Sequence, residues 1–194
     1  RGAARAHDRC RRGGWLRLQI LDAEATAMSS FRIRATRERV TLPNGRVAEL
    51  DIVHHPGAAA VVPFTSESDV LLIRQYRHAA GGSILEVPAG KLDPGDTPEI
   101  CAARELEEEG GYRAGRLEKL GWIFTTPGFT DEIIHLFAAF DLERIATRHE
   151  DDEVIELVHT SLAEALDWIW RGQLTDAKSA MALLHAARFV GRLS

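Results

Sequence analysis

From residue 31 onward, apolar and polar side chains alternate with the period of a strand. Phe31, Ile33 and Ala35 are interleaved with arginines and a threonine, the run reaches Leu42, and Pro43-Asn44-Gly45 marks a turn. Residues 46–55 then set Ala48, Leu50 and Ile52 against Val47, Glu49 and Asp51. Together these runs predict a long antiparallel hairpin with one apolar face. After Pro56-Gly57, A-A-A-V-V-P-F predicts a short buried strand, V-L-L-I-R-Q-Y at 70–76 another, and S-I-L-E-V-P-A-G leads into a loop. Residues 117–125 and 132–142 read as two further strands, 143–152 as a polar loop and 154–159 as a strand. Ser161 and Glu164 have capping-box spacing before L-A-E-A-L-D-W-I-W, which ends at Gly172. Thr175 or Asp176 caps a second helix through Met181, Leu184 and residues 188–190. Trp168 and Trp170 are expected to pack against the core. Strands, one central helix, more strands and terminal helices predict an α/β fold in which a mixed sheet lies between helices.

The central helix carries the candidate chemistry. Residues 89–112 run as a Gly/Pro-rich loop, a helix start, and a helix with four glutamates near its end. Asp96 or Thr97 caps it; Asp96 with Glu99 has capping-box spacing, and a Thr97 cap would place Pro98 at the first helical position. Gly110 and Gly111 are expected to stop it. On an ideal helix Glu105, Glu108 and Glu109 share an arc of about 100°, while Ala102, Ala103 and Leu106 cover the core side. Like charges three and four apart repel, and carboxylates in the last turn face the negative end of the helix dipole. Hard divalent cations with oxygen ligands would offset this; a solvated acidic face is the plain alternative.

Composition narrows the classes. The 194 residues are 45% hydrophobic and 27% charged, as in an ordinary globular chain with one well-buried core. A net charge of −5 argues against a nucleic-acid partner. No run approaches the length of a membrane span. Cys10 and Cys101 make no disulfide framework, which points to reduced thiols and a cytoplasmic setting. Residues 1–28, Arg/Gly/Ala-rich at the start, are expected to be a disordered or non-native leader, with Met28 as the natural beginning.

Gly90, Arg104, Glu105, Leu106, Glu108, Glu109 and Gly111 stand in the register G-x5-E-x7-R-E-U-x-E-E-x-G-U, with U a bulky aliphatic. The segment resembles the Nudix box, and a chance match in the chain is on the order of 10⁻⁵. Asp96 stands where that pattern has Glu, and Tyr112 where it has an aliphatic. The resemblance implies the Nudix α/β/α sandwich over residues 57–194, preceded by the hairpin at 29–56. It implies a Mg²⁺ cofactor, with Mn²⁺ as alternative, held by Glu105, Glu109, Glu108 and the carbonyl of Ala89. Glu105 and Glu109 are the implied catalytic residues. Gly90, Asp96, Arg104 and Gly111 are implied as structural, with Asp96 read as the helix cap and Arg104 orienting the carboxylates.

The flanks R-Q-Y-R at 74–77, L-E-V-P-A-G, T-T-P-G-F-T-D-E at 125–132 and G-Q-L-T-D-A-K-S resemble the ADP-ribose pyrophosphatase branch. That implies hydrolysis of ADP-ribose or a related nucleotide sugar to AMP and a sugar phosphate. Arg77 becomes a candidate phosphate clamp, Glu86 its holder or a ribose ligand, Thr126, Pro127 and Gly128 a substrate loop, and Glu132 an acceptor for sugar hydroxyls. A general base or extra metal ligand is implied in the acidic loop, with Glu153 as base, Asp152 as ligand and Glu150 as the further candidate. The branch also implies a homodimer in which the hairpin exchanges between subunits. Rival readings are a hydrolase of oxidised nucleoside triphosphates and a catalytically silent nucleotide sensor.

Overall fold

The structure, a computed structural model, describes residues 33–147 and 154–193. Phe31, the 1–28 leader and the acidic-loop candidates Glu150, Asp152 and Glu153 lie outside the described residues. The predicted hairpin is present as β1 (Arg34–Thr41) and β2 (Val47–His54), paired in continuous antiparallel register.

The sandwich is organised on β3 (Ala58–Pro63), in which every residue is buried. Successive side chains of a strand point to opposite faces. Ala58, Ala60 and Val62 therefore join one apolar cluster with Leu162, Ala165, Ala182, Leu183 and Ala186. Ala59 and Val61 join the opposite one with Cys101, Ala102, Leu106, Phe137 and Ala139. Helices α2 (Leu162–Trp170) and α3 (Ala177–Phe189) thus cover one face, and α1 (Pro98–Glu105) covers the other. The alanines of β3 leave room for both layers.

Around β3 the sheet is mixed, as predicted. β6 (Ala89–Lys91) and β8 (Ile133–Arg144) flank it, the first antiparallel and the second parallel, and β7 (Tyr112–Phe124) pairs beyond β8. A second, antiparallel sheet holds β5 (Gly82–Glu86), β4 (Asp69–Arg77) and β9 (Ile155–Ser161) in that order.

Several expectations are corrected. β7 begins at Tyr112, five residues before the predicted Leu117, because Tyr112, Arg113 and Ala114 pair with the far end of β8 despite their polar pattern. Helix α1 stops at Glu105, and residues Leu106–Gly110 continue as a π turn. Gly111 alone makes the left-handed stop at φ 70°; Gly110 instead packs against Leu106 and Leu71. Thr97, not Asp96, caps α1, accepting the Ile100 N–H, with Pro98 at the first helical position. Ser161 and Asp176 cap α2 and α3. Trp168 packs against the core, but Trp170, on the outer side of α2, is 75% exposed. The apolar face of the hairpin is open at Leu50, so only its base is anchored.

That base is tied to the loop at 125–132. Val53 donates its N–H to Phe129 O (2.7 Å) and accepts from Asp131 N, while Asp131 Oδ1 accepts the His55 N–H. The His54 ring lies between two carboxylates, Asp131 Oδ2 at Nδ1 (2.7 Å) and Glu38 Oε1 at Nε2 (2.9 Å). Ionised carboxylates only accept, so this setting favours the His54 imidazolium, in which both ring nitrogens donate. Its hydrogen bonds to Asp131 first, then to Glu38, raise its pKa. The bond from His54 lowers that of Asp131, and bonds from Thr36 and then His54 lower that of Glu38. A raised histidine pKa stabilises fully below the unfolded value of about 6.5 and loses that contribution as pH climbs through the folded value. The depressed carboxylates withdraw theirs only as pH falls below about 4. The melting temperature of the wild type should therefore exceed that of His54→Gln most at about pH 5–6, and the gap should shrink toward pH 9. A gap that stays constant or widens over that range contradicts the tie.

Candidate active site

The loop ahead of α1 is placed by strand pairing. β6 pairs Ala89 with Ala60, Gly90 with Ala59 and Lys91 with Ala58, and Pro88 O accepts the Val61 N–H (3.0 Å). This lays the backbone of residues 88–91 beside the end of α1. Glu109, only 2% exposed, accepts the Ala89 N–H at Oε2 (2.8 Å). Glu105, 8% exposed, lies against Gly90 so closely that a Cβ there would overlap its carboxylate. Glu108 is half-buried, and Glu107 turns away to Arg113 Nε (2.8 Å). Glu105, Glu108 and Glu109 thus lie at one end of the helix.

Arg104 holds this cluster together. Nη1 donates to Glu105 Oε1 (2.6 Å) and Glu108 Oε2 (3.1 Å), and Nη2 donates to Lys91 O (3.1 Å). Asp93 and Asp96 stand 3.6 Å from Nη2. Asp96 therefore reaches the arginine and braces the loop by accepting the Asp93 N–H (3.3 Å), instead of capping the helix. Partial burial works against the guanidinium charge but is outweighed by Glu105, Cys101 and Glu108, so its pKa is raised. Burial, then Glu105, pushes the Cys101 thiol up to about 11. Cys101 is thus a neutral donor to the carbonyls of Gly90 and Lys91, not a nucleophile.

Among the described residues, no three acidic, histidine or cysteine groups converge as closely as the ligands of a bound cation. Arg104 takes oxygens of both Glu105 and Glu108. The donor set nevertheless fits a hard divalent cation: Glu105, Glu108, Glu109 and the Ala89 carbonyl supply only oxygen. Glu105 and Glu109 are also buried, and buried charge requires compensation.

Arg77, at the end of β4, is engaged by Glu86, at the end of β5, through Nε (2.8 Å) and Nη2 (2.9 Å). Of the two roles expected for Glu86, holding Arg77 is the one seen. Burial disfavours its charge, yet Arg77 and Lys178 outweigh burial and lower its pKa. At 125–132 the Thr126 carbonyl closes a turn, accepting from Phe129 N and Thr130 N, and Thr126, Pro127 and Gly128 are exposed at its tip. Glu132 accepts the Thr125 hydroxyl (2.8 Å) and stands 3.4 Å from His55 Nε2.

Sequence reasoning assigned nothing to His54, His55, Asp93, Asp131, Lys178 or Ser179, although Lys178 and Ser179 lie in a quoted motif. His54, His55, Lys178 and Ser179 each have a partner more than seventy positions away, for which spacing carries no signal. A separate cleft of about 400 Å³ between β7 and α3, lined by Lys119, Leu120, Leu184, His185 and Phe189, contains none of the predicted site residues; the carboxylate cluster is the site with chemistry.

A family model described as NUDIX domain matches residues 53–182. The chain is 43% identical over 150 residues to the ADP-ribose pyrophosphatase of Bacillus subtilis (strain 168), covering 76% of this chain and 81% of that one. It is 43% identical over 148 residues to the methanol dehydrogenase activator of Bacillus methanolicus, covering 75% and 80%. To the GDP-mannose pyrophosphatase of Cronobacter sakazakii it is 32% identical over 183 residues, covering 88% and 95%. In shape it is similar to a crystal structure of an ADP compounds hydrolase, with a TM-score of 0.75 at 23% identity over 94% of this chain and 100% of that one.

Gly90→Ala should cost about 1–3 kcal/mol in urea unfolding, because its Cβ would drive into the Glu105 carboxylate. Gly128→Ala, with no atom within 4 Å of the new Cβ, should stay within about 0.5 kcal/mol. Equal effects at the two sites would contradict the packing of Glu105 on Gly90.

Proposed function

This chain belongs to the Nudix family, and on that premise we propose that it is a divalent-cation-dependent pyrophosphohydrolase of nucleoside-diphosphate sugars, with ADP-ribose as the first substrate to test. The observation that carries the reading is the set of carboxylates at one helix end: buried Glu105 and half-buried Glu108 on Arg104, and buried Glu109 on the Ala89 N–H. The names of the pyrophosphatase relatives support the substrate class.

Glu105, Glu108, Glu109 and the Ala89 carbonyl would hold Mg²⁺, or Mn²⁺ in its place. Bound there, the ion would neutralise pyrophosphate charge and acidify a water. The protein's own part is orientation. Arg104 keeps Glu105 and Glu108 on one side of the helix, and the Ala89 N–H fixes Glu109. Arg77 is the phosphate clamp: Glu86 engages two of its five N–H groups, leaving three for phosphate oxygens in a plane the carboxylate sets. Glu132 accepts sugar hydroxyls, and Thr126, Pro127 and Gly128 shape the loop over the sugar. Water attacks one phosphorus in line, the bridging P–O bond breaks, and AMP and a sugar phosphate leave. The proton of that water goes to a carboxylate of the acidic loop, Glu153 by preference, with Asp152 as a further ligand.

The hairpin at 29–56 serves as a dimerisation element ahead of a hydrolase domain at 57–194. Exposed Val47 and Leu50 on the hairpin, Phe129 on the loop bonded to it, and Trp122 and Phe124 on β7 support a homodimer. No described helix is long and apolar enough to cross a membrane, and with the reduced, buried Cys101 this supports a cytoplasmic enzyme.

The test is hydrolysis of ADP-ribose, GDP-mannose and an oxidised nucleoside triphosphate, with products identified in ¹⁸O water. The reading expects nucleoside monophosphate and sugar phosphate, with the triphosphate a poor substrate. Glu109→Gln, whose amide still accepts the Ala89 N–H, should keep the wild-type melt and lose turnover by roughly 10²–10⁴-fold. Preference for the triphosphate, or a near-normal Glu109→Gln enzyme, would overturn it.

A further inference from the structure

The first turn of α3 grips the end of β5, ninety-two positions earlier in the chain. Lys178 Nζ donates to Glu86 Oε2 (2.5 Å) and to Asp176 Oδ2 (2.9 Å). Asp176, the cap of α3, accepts both the N–H (3.0 Å) and the hydroxyl (2.5 Å) of Ser179, and Ser179 Oγ accepts the Val87 N–H (2.8 Å). Two consecutive residues, Glu86 at the end of the strand and Val87 just past it, are therefore clasped by one helix terminus. Lys178 and Asp176 are themselves largely buried, and Glu86 is 1% exposed.

The clasp faces the site on two sides. Beyond Val87 and Pro88 lies Ala89, whose N–H holds Glu109. Across the sheet, Glu86 takes Arg77 through both carboxylate oxygens, Oε1 to Nε and Oε2 to Nη2. Arg77 is the more exposed partner, with a side chain 41% exposed against 2% for Glu86. A long exposed arginine on a single carboxylate can rotate with it. An ammonium bonded to Oε2 removes that freedom, because the carboxylate plane is then defined by Lys178 on one edge and the guanidinium on the other. The four side chains Arg77, Lys178, Glu86 and Asp176 sum to zero charge, so the lysine is placed to orient the arginine, not to add field at the phosphate.

We propose that Lys178 is a positioning residue for the pyrophosphate: it fixes Glu86, Glu86 fixes the guanidinium plane of Arg77, and the remaining N–H groups of Arg77 meet the phosphate oxygens. This rests on the reading of Arg77 as the phosphate clamp. The Glu86 carboxylate and the Asp176 cap belong to the same unit, and Ser179 holds the backbone that Lys178 serves.

The experiment is a double-mutant cycle on the full chain with ADP-ribose and Mg²⁺, using Lys178→Met and Lys178→Arg in the Arg77 and Arg77→Ala backgrounds, with melts of every variant. Lys178→Met should raise KM about tenfold with kcat within about threefold, and Lys178→Arg should recover most of the loss. In the Arg77→Ala background Lys178→Met should add nothing. A full tenfold effect persisting without Arg77, or wild-type KM in Lys178→Met, overturns the proposal. A substrate-free arm follows the ¹⁵N-labelled Arg77 Nε–H, which should exchange slowly with solvent in the wild type and fast in Lys178→Met. If no nucleotide sugar is hydrolysed by the wild type, the functional reading fails, and unchanged Arg77 exchange would still sink the lysine's role by itself. Lys178→Gln, which keeps a donor without the charge, replaces Lys178→Met if the latter does not fold.

Discussion

Two glutamates buried side by side at the wrong end of a helix are the constraint from which the rest of this structure follows. Glu105 and Glu109 face the negative end of α1 and its π turn, where the helix dipole and like charges four residues apart are unfavourable. What holds them is local and specific: the Arg104 guanidinium on Glu105, and the Ala89 N–H on Glu109. Arg104 can serve only because Lys91 O, Asp93 and Asp96 receive its other edge. The loop in turn lies where it does because β6 pairs with the alanine strand β3, and because Gly90 has no side chain to exclude Glu105.

The same β3 sets the sandwich. Its alternating faces send Ala59 and Val61 to α1 and Ala60 and Val62 to α2 and α3, so the metal-type helix and the C-terminal helices share one strand as their common floor. Two long-range ties then complete the site's surroundings. One is the clasp of α3 on Glu86 and Val87; the other is the base of the hairpin on the loop at 125–132, through Val53, His54 and Asp131. Each brings an element distant in the chain to a residue beside the proposed substrate path.

The sequence shows the fold class, the box and the order of strands, because these depend on period and spacing within short windows. Ala102 and Leu106 are core as an ideal helix predicts, Ala103 is only partly buried, and Thr97 is one of the two caps the sequence offers. The departures have physical causes that lie outside such windows. The π turn ends at Gly110, where a Cβ would crowd Leu106 and Leu71 of another sheet, and the early start of β7 depends on a partner strand that reaches to Arg144. Trp170 was read as core from composition, but its place on α2 faces outward. The capping-box spacing of Asp96 with Glu99 suggests a cap, whereas Arg104 gives Asp96 a partner in space. Lys178 was legible only as a letter in a motif; its meaning needs Glu86.

The central claim is that the carboxylates of this helix end are gathered to hold a divalent cation. Titration of Mn²⁺ followed by electron paramagnetic resonance, on the wild type and on Glu105→Gln and Glu109→Gln, tests it without reference to any substrate. The account predicts saturable binding to the wild type that weakens by about tenfold or more in each variant. Binding of equal strength in all three proteins would contradict it.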